Sequence, residues 1–406
     1  MKRGLGGHTF HIGLVGGCLQ GLEAAYLACE AGYHLTVIDR APEAPAMTMA
    51  HNTHVFDVQE EPRRFREVLL GMDAILPTTE EQGTLDFLAR TCQESGVVFL
   101  HDPAAYAVSS SKARSNAFFA KHNISIPKKW PECPFPVVIK PSEASGSHGV
   151  RVVSDSIALE EAVPQIKGHY GDIVIEAYHE GPLLSLEVIA RQGIGLTYLI
   201  TELEFDASFD CKRVYAPSKC SNDINQNFAG ICMDIARHLG LNGLMDVEAI
   251  VDLQEKGLVV LEIDSRFPSQ TPIAVYHASG INLLDEWVKM HAISLPVPTN
   301  GDSPGCALLE HVSVGDGCLE FIGETRLLPW PGVQVWHNGS FFGASMALTD
   351  YREDKESFKG TLIFAGVSWP DVLKKRQECL DRMASTLALR KIPDPEFCCQ
   401  KIGGKE

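Results

Sequence analysis

Residues 259–272 read VVLEIDSRFPSQTP, and this stretch decides how the rest of the chain is read. It starts as an apolar, β-branched run, the composition of a strand. Side chains along a strand alternate between faces, so Glu262, Asp264 and Arg266 share one face while Leu261, Ile263 and Ser265 take the other. The apolar run before it, LMDVEAIVDL (244–253), carries Asp246 and Glu248 with the same alternation, and Glu255, Lys256 and Gly257 between the two read as a hairpin turn. Carboxylates from two neighbouring strands can therefore converge. Buried together and uncompensated they would be costly. A pair of Mg2+ ions would offset that cost, because Mg2+ takes a few carboxylates together with phosphate oxygens. A polar face packed against an arginine network fits the same pattern.

Upstream, VVIK (137–140) is followed by PSEASGSHGVRVV (141–153). Lys140 ends a strand. The loop after it holds Ser142, Ser145, Gly146, Ser147 and Gly149, residues that let backbone N–H groups approach anionic oxygens. No G-K-[ST] opens a helix here, so it is not a Walker A loop. It reads as a flap between two strands over a triphosphate, or as a plain hairpin loop. In DIVIEAYHEG (172–181) a strand runs to Glu176 and bends at Ala177 and Tyr178, with Glu180 just beyond. Main-chain groups at that bend could read an adenine edge, as at many strand ends. Lys112 stands on the helix SSKARSNAFFAKHNI (110–124), with Ser109 to Ser111 available to cap it.

Toward the N-terminus, FHIGLVGG, CLQGLEAAYLACEAG and HLTVIDR give strand, glycine turn, helix and strand. DAILPTTEE, a helix from about Gln82 to Glu94, and VVFLHDP repeat the pattern, which predicts a doubly wound parallel α/β sheet over 1–108. From 109 to 294 the strands FPVVIK, VRVVSD, DIVIEAY and SLEVIAR follow without long helices between them. That predicts an α+β region with antiparallel sheets, and a helix spans about Asn225 to Leu239. PVPTNGDSPG (296–305) is a linker by composition, and 295–406 reads as a β-rich region with a late helix from Trp369 to Ala388.

The 406 residues carry a net charge of −17, with no basic stripe of the kind nucleic-acid binding needs. Lys128-Lys129 and Lys374-Lys375-Arg376 read as solvated faces. An acidic chain that holds a polyphosphate needs local cations or bound metal. The 12 cysteines include no C-x-x-C pair, which fits reduced thiols in the cytoplasm better than a disulfide framework. Lys2 and Arg3 before an apolar run ending at Cys18 could pass for a lipoprotein signal, but His8 and His11 interrupt it. No run of 18 uninterrupted apolar residues exists, so no membrane span is expected.

Lysine on a helix, lysine on a strand, glycine flap, E-A-Y hinge, acid, then E-x-D-x-R is an order that resembles the ATP-grasp enzymes. Asp264 stands where that superfamily more often has asparagine. LVGGxLQGxEAAYL near the start, MDVEAI (245–250) and EIDSRFPSQTPxxVYxxSGINL (262–283) together resemble, within it, the pyrrolysine-biosynthesis ligase family, over roughly residues 10 to 290. The resemblance implies a Rossmann-like pre-ATP-grasp domain, then a two-lobed ATP-grasp fold hinged near 176–179. It implies ATP-dependent joining of (3R)-3-methyl-D-ornithine to the ε-amine of L-lysine through an acyl phosphate. In that reading Lys112, Lys140, Ser147, Glu176, Ala177, Tyr178 and Glu180 hold the nucleotide. Glu248, Glu262 and Asp264 hold Mg2+, Arg266 and Lys140 are catalytic, and Leu19, Gln20 and Glu80 hold lysine. Ser185 and Glu187 share a strand face near the D-amino acid, or form a solvated face. Ser269, Gln270 and Thr271 are candidates for its α-amino and carboxylate groups. Relatives carry lysine where this chain has Cys18, so no nucleotide contact is carried over there.

Three other readings share these residues. GGCLQG followed by Asp39 could be a dinucleotide fingerprint, although its glycines do not fit G-x-G-x-x-G. The chain could also be another ATP-grasp carboxylate–amine ligase, or a nucleotide-binding regulatory protein without turnover. Its partners are then small molecules, with a homo-oligomer left open.

Overall fold

The computed structural model describes residues 9–206, 208–253, 257–293 and 305–390. Glu255 and Lys256 of the hairpin turn, the 296–304 part of the linker, and Lys2, Arg3, Cys398 and Cys399 lie outside the described residues.

The first unit contains β1 (His11–Val15), α1 (Leu19–Glu30), β2 (His34–Asp39), β3 (Asn52–Val55), α2 (Pro62–Leu69), β4 (Ala74–Pro77), α3 (Gln82–Ser95) and β5 (Val98–Phe99). Its five strands are all parallel, in the order β3-β2-β1-β4-β5. The expected strand–helix alternation is therefore present. The strand order reverses between β1 and β4, and the crevice at their carboxyl ends, where the Gly16–Gln20 turn and Glu80 sit, is the usual ligand position of such sheets.

Two capped helices lead out of this unit. Asp102 accepts from the N–H groups of Ala104 and Ala105 at the start of α4 (Pro103–Ser109), and Ser111 accepts from Arg114 N at the start of α5 (Lys112–Lys121). A small antiparallel sheet in the order β7-β6-β8 follows, from β6 (Val137–Pro141), β7 (Arg151–Val153), α6 (Ser156–Tyr170) and β8 (Ile173–Ala177). Helix α6 corrects the expectation of strands without long helices between them. Pro164 lies inside it and reads as a breaker, but Asp155 caps its start by accepting from Ala158 N.

The remaining strands are β9 (Leu183–Arg191), β10 (Ile194–Thr197), β11 (Thr201–Phe205), β12 (Cys211–Ala216), β13 (Gly243–Val251), β14 (Leu258–Asp264), β15 (Cys306–Gly315), β16 (Cys318–Phe321), β17 (Gln334–His337), β18 (Met346–Thr349) and β19 (Phe358–Gly366). They form one eleven-stranded sheet along β14-β13-β9-β11-β12-β15-β19-β18-β17, with β10 on β9 and β16 on β15. Helices α7 (Asn222–Leu239), α8 (Thr271–Ser279), α9 (Leu283–Val288) and α10 (Trp369–Thr386) pack on it.

The strands after the linker thus continue the central sheet through the β12–β15 pair, where Arg213 stands opposite Glu310. Glu310 is buried between Arg213, 3.0 Å away, and Arg376 of α10, 2.8 Å away, and both guanidinium groups lie over the Phe321 ring. The parallel unit is fastened to α8 and α9 by a shared apolar core that includes Leu22, Leu27, Ile273 and Trp287. Two polar ties lie within that packing: Tyr33 Oη donates to Asp285 at 2.7 Å, and Asn282 Nδ2 donates to the Leu27 carbonyl at 2.7 Å.

The β13–β14 hairpin places Asp246 opposite Asp264 and Glu248 opposite Glu262. The register then slips between Glu248 and Ala249, so Leu261 is an extra residue in β14, a one-residue bulge. Strict alternation put Leu261 on the face away from the acids. The bulge turns it toward the same cavity as Glu262, while Ile263 and Ser265 stay buried on the far side.

Candidate active site

A cavity of about 470 Å³ lies between the small sheet and the β13–β14 edge. Lys112, Lys140, Ser147, Glu176 and Glu180 line it, together with Glu248 and Glu262 from the hairpin. Lys112 Nζ sits 2.8 Å from Glu262 Oε1 and donates to the Ala144 carbonyl at 2.8 Å. Lys140 Nζ sits 2.6 Å from Glu176 Oε1. Leu203 and Leu261 supply apolar wall. The flap needs its glycine at 149, where φ is +78° and a Cβ would come within 2.6 Å of the Tyr170 ring. Ala177 and Tyr178 also line the cavity, but their N–H groups already donate to the carbonyls of Lys128 and Pro136. Those two donors are therefore not the ones open to a base edge, because strand pairing claims them.

A second cavity of about 140 Å³ adjoins the first, sharing Gly146, Ser147, Glu248 and Glu262 with it. Ser185, Asp264, Arg266, Ser269, Gln270 and Thr271 line it. Arg266 Nε lies 2.7 Å from Asp264 and 3.0 Å from Glu80, whose other oxygen accepts from Ser145 Oγ at 2.7 Å. Glu80 thereby links the parallel unit, the flap and the arginine. Gln270 has φ +65° and ψ −59°, and Thr271 N donates to the Ser269 carbonyl at 2.7 Å, which makes a γ-turn of the rare, strained kind. Glu23 of α1, which is 1% exposed, steadies it by accepting from Gln270 N at 2.5 Å. Ser185 Oγ, Asp246 Oδ1, Gln270 Oε1 and Thr271 Oγ1 are buried without a hydrogen-bond partner among the described residues.

The four opposed carboxylates are unequally neutralised. Glu262 has Lys112 and Asp264 has Arg266, but neither Asp246 nor Glu248 forms an ion pair among the described residues. Burial, with Glu262 directly opposite, pushes Glu248 up to about 8. Burial, then the Asp264 charge, pushes Asp246 up as well. Burial raises Asp264 even though Arg266 opposes it. Each opposed pair thus has one carboxylate with a cation, Asp264 with Arg266 and Glu262 with Lys112, and one without any among the described residues. No group of three or more His, Cys, Asp or Glu side chains among the described residues forms a ready metal cage. An all-oxygen set with two carboxylates across a strand pair nevertheless fits Mg2+, which completes its shell with phosphate and water.

Glu187 is 0% exposed in β9, opposite Asp246, and neither of its oxygens accepts a hydrogen bond of ordinary geometry. The solvated-face reading for Ser185 and Glu187 is therefore corrected: both are inside. Burial pushes Glu187 up to about 7. The Gln20 amide donates to the Phe267 carbonyl, which ties the glycine turn to the strand end after Arg266. Leu19 is buried in the core and lines none of these cavities. Asp39, the acid of the dinucleotide reading, accepts from the N–H groups of Gly17 and Ala41. The turn is also closed from within, since a Cβ on Gly16 would meet the Thr78 carbonyl at 2.5 Å.

Sequence reading missed Glu23, Asp210 and Glu324. Glu23 lies in the quoted helix motif, where three residues after Gln20 is the same helix face. Asp210 and Glu324 meet the site only through long-range sheet pairing, which leaves no local signal.

The ATP-grasp domain family model matches residues 109–270. The 3-methyl-D-ornithine–L-lysine ligase of Methanosarcina acetivorans is 39% identical over 321 residues, covering 78% of this chain and 83% of that protein. Its counterpart in Methanosarcina barkeri is 38% identical over 274 residues, covering 68% and 71%. Among solved structures, the biotin carboxylase–β-γ-ATP complex from Campylobacter jejuni superposes with a TM-score of 0.72 at 16% identity, covering 91% of each chain. The ADP complex of N5-carboxyaminoimidazole ribonucleotide synthetase gives 0.68 at 16% identity, covering 93% of this chain and 98% of that one. Likeness at that identity shows the shared fold.

Proposed function

The chain belongs to the 3-methyl-D-ornithine–L-lysine ligase family of ATP-grasp enzymes, and from that premise we propose that it joins the carboxylate of (3R)-3-methyl-D-ornithine to the ε-amine of L-lysine, with ATP converted to ADP and phosphate. The observation that carries the site reading is the Glu248–Glu262 pair at the border of two adjoining cavities. One cavity has two lysines, and the other has an arginine and orphaned polar groups.

Lys112 and Lys140 neutralise phosphate charge in the larger cavity, and the flap around Ser147 closes over it. Mg2+, two ions in this reading, would be held by Glu248, Glu262 and Asp264 and would act as Lewis acid and template. The carboxylate of the D-amino acid, seated in the smaller cavity, attacks the γ-phosphorus, and ADP leaves. Arg266 stabilises the charge that builds on the oxygens. The lysine ε-amine then attacks the acyl carbon and phosphate departs. That amine ordinarily titrates near about 10.4, so it must first lose a proton. Asp246, a carboxylate in the wall of the smaller cavity that burial holds above its ordinary range, is the candidate base. Glu80 and Gln20 face the lysine side from the parallel unit, and the reaction is placed in the cytoplasm.

The test is ADP release by the purified protein with ATP and Mg2+, offering L-lysine and the D-ornithine separately and together, with products identified by mass spectrometry. A D-ornithyl-N6-lysine that appears only with both is the expected result. ADP release with a different amino-acid pair would keep the ligase and overturn the substrates. ATP binding without turnover for any pair would favour the regulatory reading.

A further inference from the structure

Glu324 stands outside every role assigned so far, yet it lines the smaller cavity beside Arg266, Ser269 and Gln270. It is half-buried on the short turn that follows β16, and this turn is rigidly placed. Thr325 Oγ1 donates to Asp210 at 2.5 Å, and a Cβ on Gly323 would overlap the Asp210 carboxylate at 1.9 Å. Glu324 Oε2 accepts from Ser269 Oγ at 2.8 Å, and Glu324 forms no ion pair among the described residues.

The walls of this cavity carry Asp210, Asp246, Glu248, Glu262, Asp264 and Glu324 against Arg266 alone. Lys112 serves Glu262, the guanidinium of Arg266 serves Asp264, and Asp210 is occupied by Thr325. Apart from what a metal would take, Asp246 and Glu324 remain. Their chemical complement is a molecule with more than one ammonium group. Ser185 Oγ, Gln270 Oε1 and Thr271 Oγ1, each on a residue at most 5% exposed, are polar atoms in the same walls that lack partners.

We infer that Glu324 recognises the α-ammonium group of the D-amino acid and helps to set which hand of amino acid is accepted. The inference rests on the substrate reading above. The reacting carboxylate must sit by Arg266, and the α-ammonium is one carbon away from it. Glu324 shares this small chamber with Arg266, so one group bound by each is sterically natural. With the side chain directed toward Ser185, three substituents of the α-carbon are fixed, which is the minimum for telling D from L. The C-terminal region thereby takes part in choosing the substrate.

The experiment uses the full chain and its Glu324→Gln and Glu324→Ala variants, with D-ornithine as probe. Hydrogen bonds to charged groups are strong enough that KM for D-ornithine should rise about 10- to 100-fold in both variants. KM for ATP and for L-lysine should stay within about twofold, which also reports an intact fold. The second measurement uses 5-aminopentanoate, which is ornithine without its α-amine, as a competitive inhibitor. Its inhibition constant should be the same for wild type and variants, because the group that Glu324 reads is missing. A variant that weakens 5-aminopentanoate as much as D-ornithine would show a structural role only. An unchanged KM for D-ornithine, or a shift in the KM of lysine instead, would overturn the assignment while leaving the ligase standing. A wild-type protein that joins a different amino-acid pair would overturn both.

Discussion

Replacing Lys140 with methionine separates two jobs that one ammonium group does. It lies 2.6 Å from Glu176 Oε1, with the lysine side chain 14% exposed and the glutamate 4%. At an effective dielectric of about 20, charges that close attract by about 6 kcal/mol before desolvation is subtracted. Methionine keeps the volume of the stem and removes the charge, so Glu176 is left buried against an apolar chain. Breaking one side of a buried pair costs about 3–5 kcal/mol. The Asn116 amide, 3.4 Å from the other oxygen, relieves part of this, so the expected loss is about 3 kcal/mol in urea unfolding at neutral pH. ADP release should fall roughly 100- to 1000-fold, the usual effect of removing one donor aimed at developing negative charge. The double variant Lys140→Met/Glu176→Gln replaces the pair with neutral groups of similar shape. It should recover most of the stability and none of the turnover. If the double variant released ADP within a few-fold of wild type, Lys140 would be only the counter-ion of Glu176, and its phosphate role would be wrong.

Three further outcomes are expected. Glu262→Gln should lower ADP release by at least about 100-fold with the fold intact by circular dichroism, and normal turnover would sink the metal assignment. Glu23 ordinarily titrates near 4.5 but is pushed up to about 8, chiefly by burial, so above pH 4.5 the unfolded chain has released a proton that the folded chain still holds. Stability should then fall as pH rises between 4.5 and about 8, by up to about 1.4 kcal/mol per pH unit, and Glu23→Gln should flatten that slope; matching urea midpoints for the two proteins across the range would contradict it. Glu310→Gln removes the charge shared by Arg213 and Arg376 and should cost about 3–5 kcal/mol, so an unchanged unfolding midpoint would show that the C-terminal strands are not anchored there.

Much of this was legible in the chain because it is local. Strand–turn–helix periodicity marked the parallel unit, Ser111 marked a cap, and the alternation in VVLEID marked the acid face. Lys112, Lys140 and Glu176 are scattered in sequence and each alone is a weak signal, so their convergence was legible only through the resemblance of their order to the ATP-grasp enzymes. What escaped depends on contacts distant in sequence. Nothing near Cys306 says that it begins a strand beside β12 rather than a separate sheet. Glu324 follows a short edge strand and carries no periodic signal. Helix α6 escaped for the opposite reason, because a local breaker signal at Pro164 was outweighed by a well-capped start and packing of Leu159, Ala162 and Ile166.

The extra residue at 261 also bears on how this strand tolerates length change. Val260 pairs with Ala249 and Glu262 with Glu248, so removing the codon for Leu261 would leave both neighbours in register and restore a regular ladder. Removing Val260 would let Leu261 take its place opposite Ala249 with the acids still on their face, whereas removing Ile263 would throw Asp264 onto the opposite face of the sheet. The extra residue therefore gives this strand slack for one deletion at 260 or 261 with pairing preserved. A library of single-codon deletions across 258–266 should show folded survivors at those positions and none at 263.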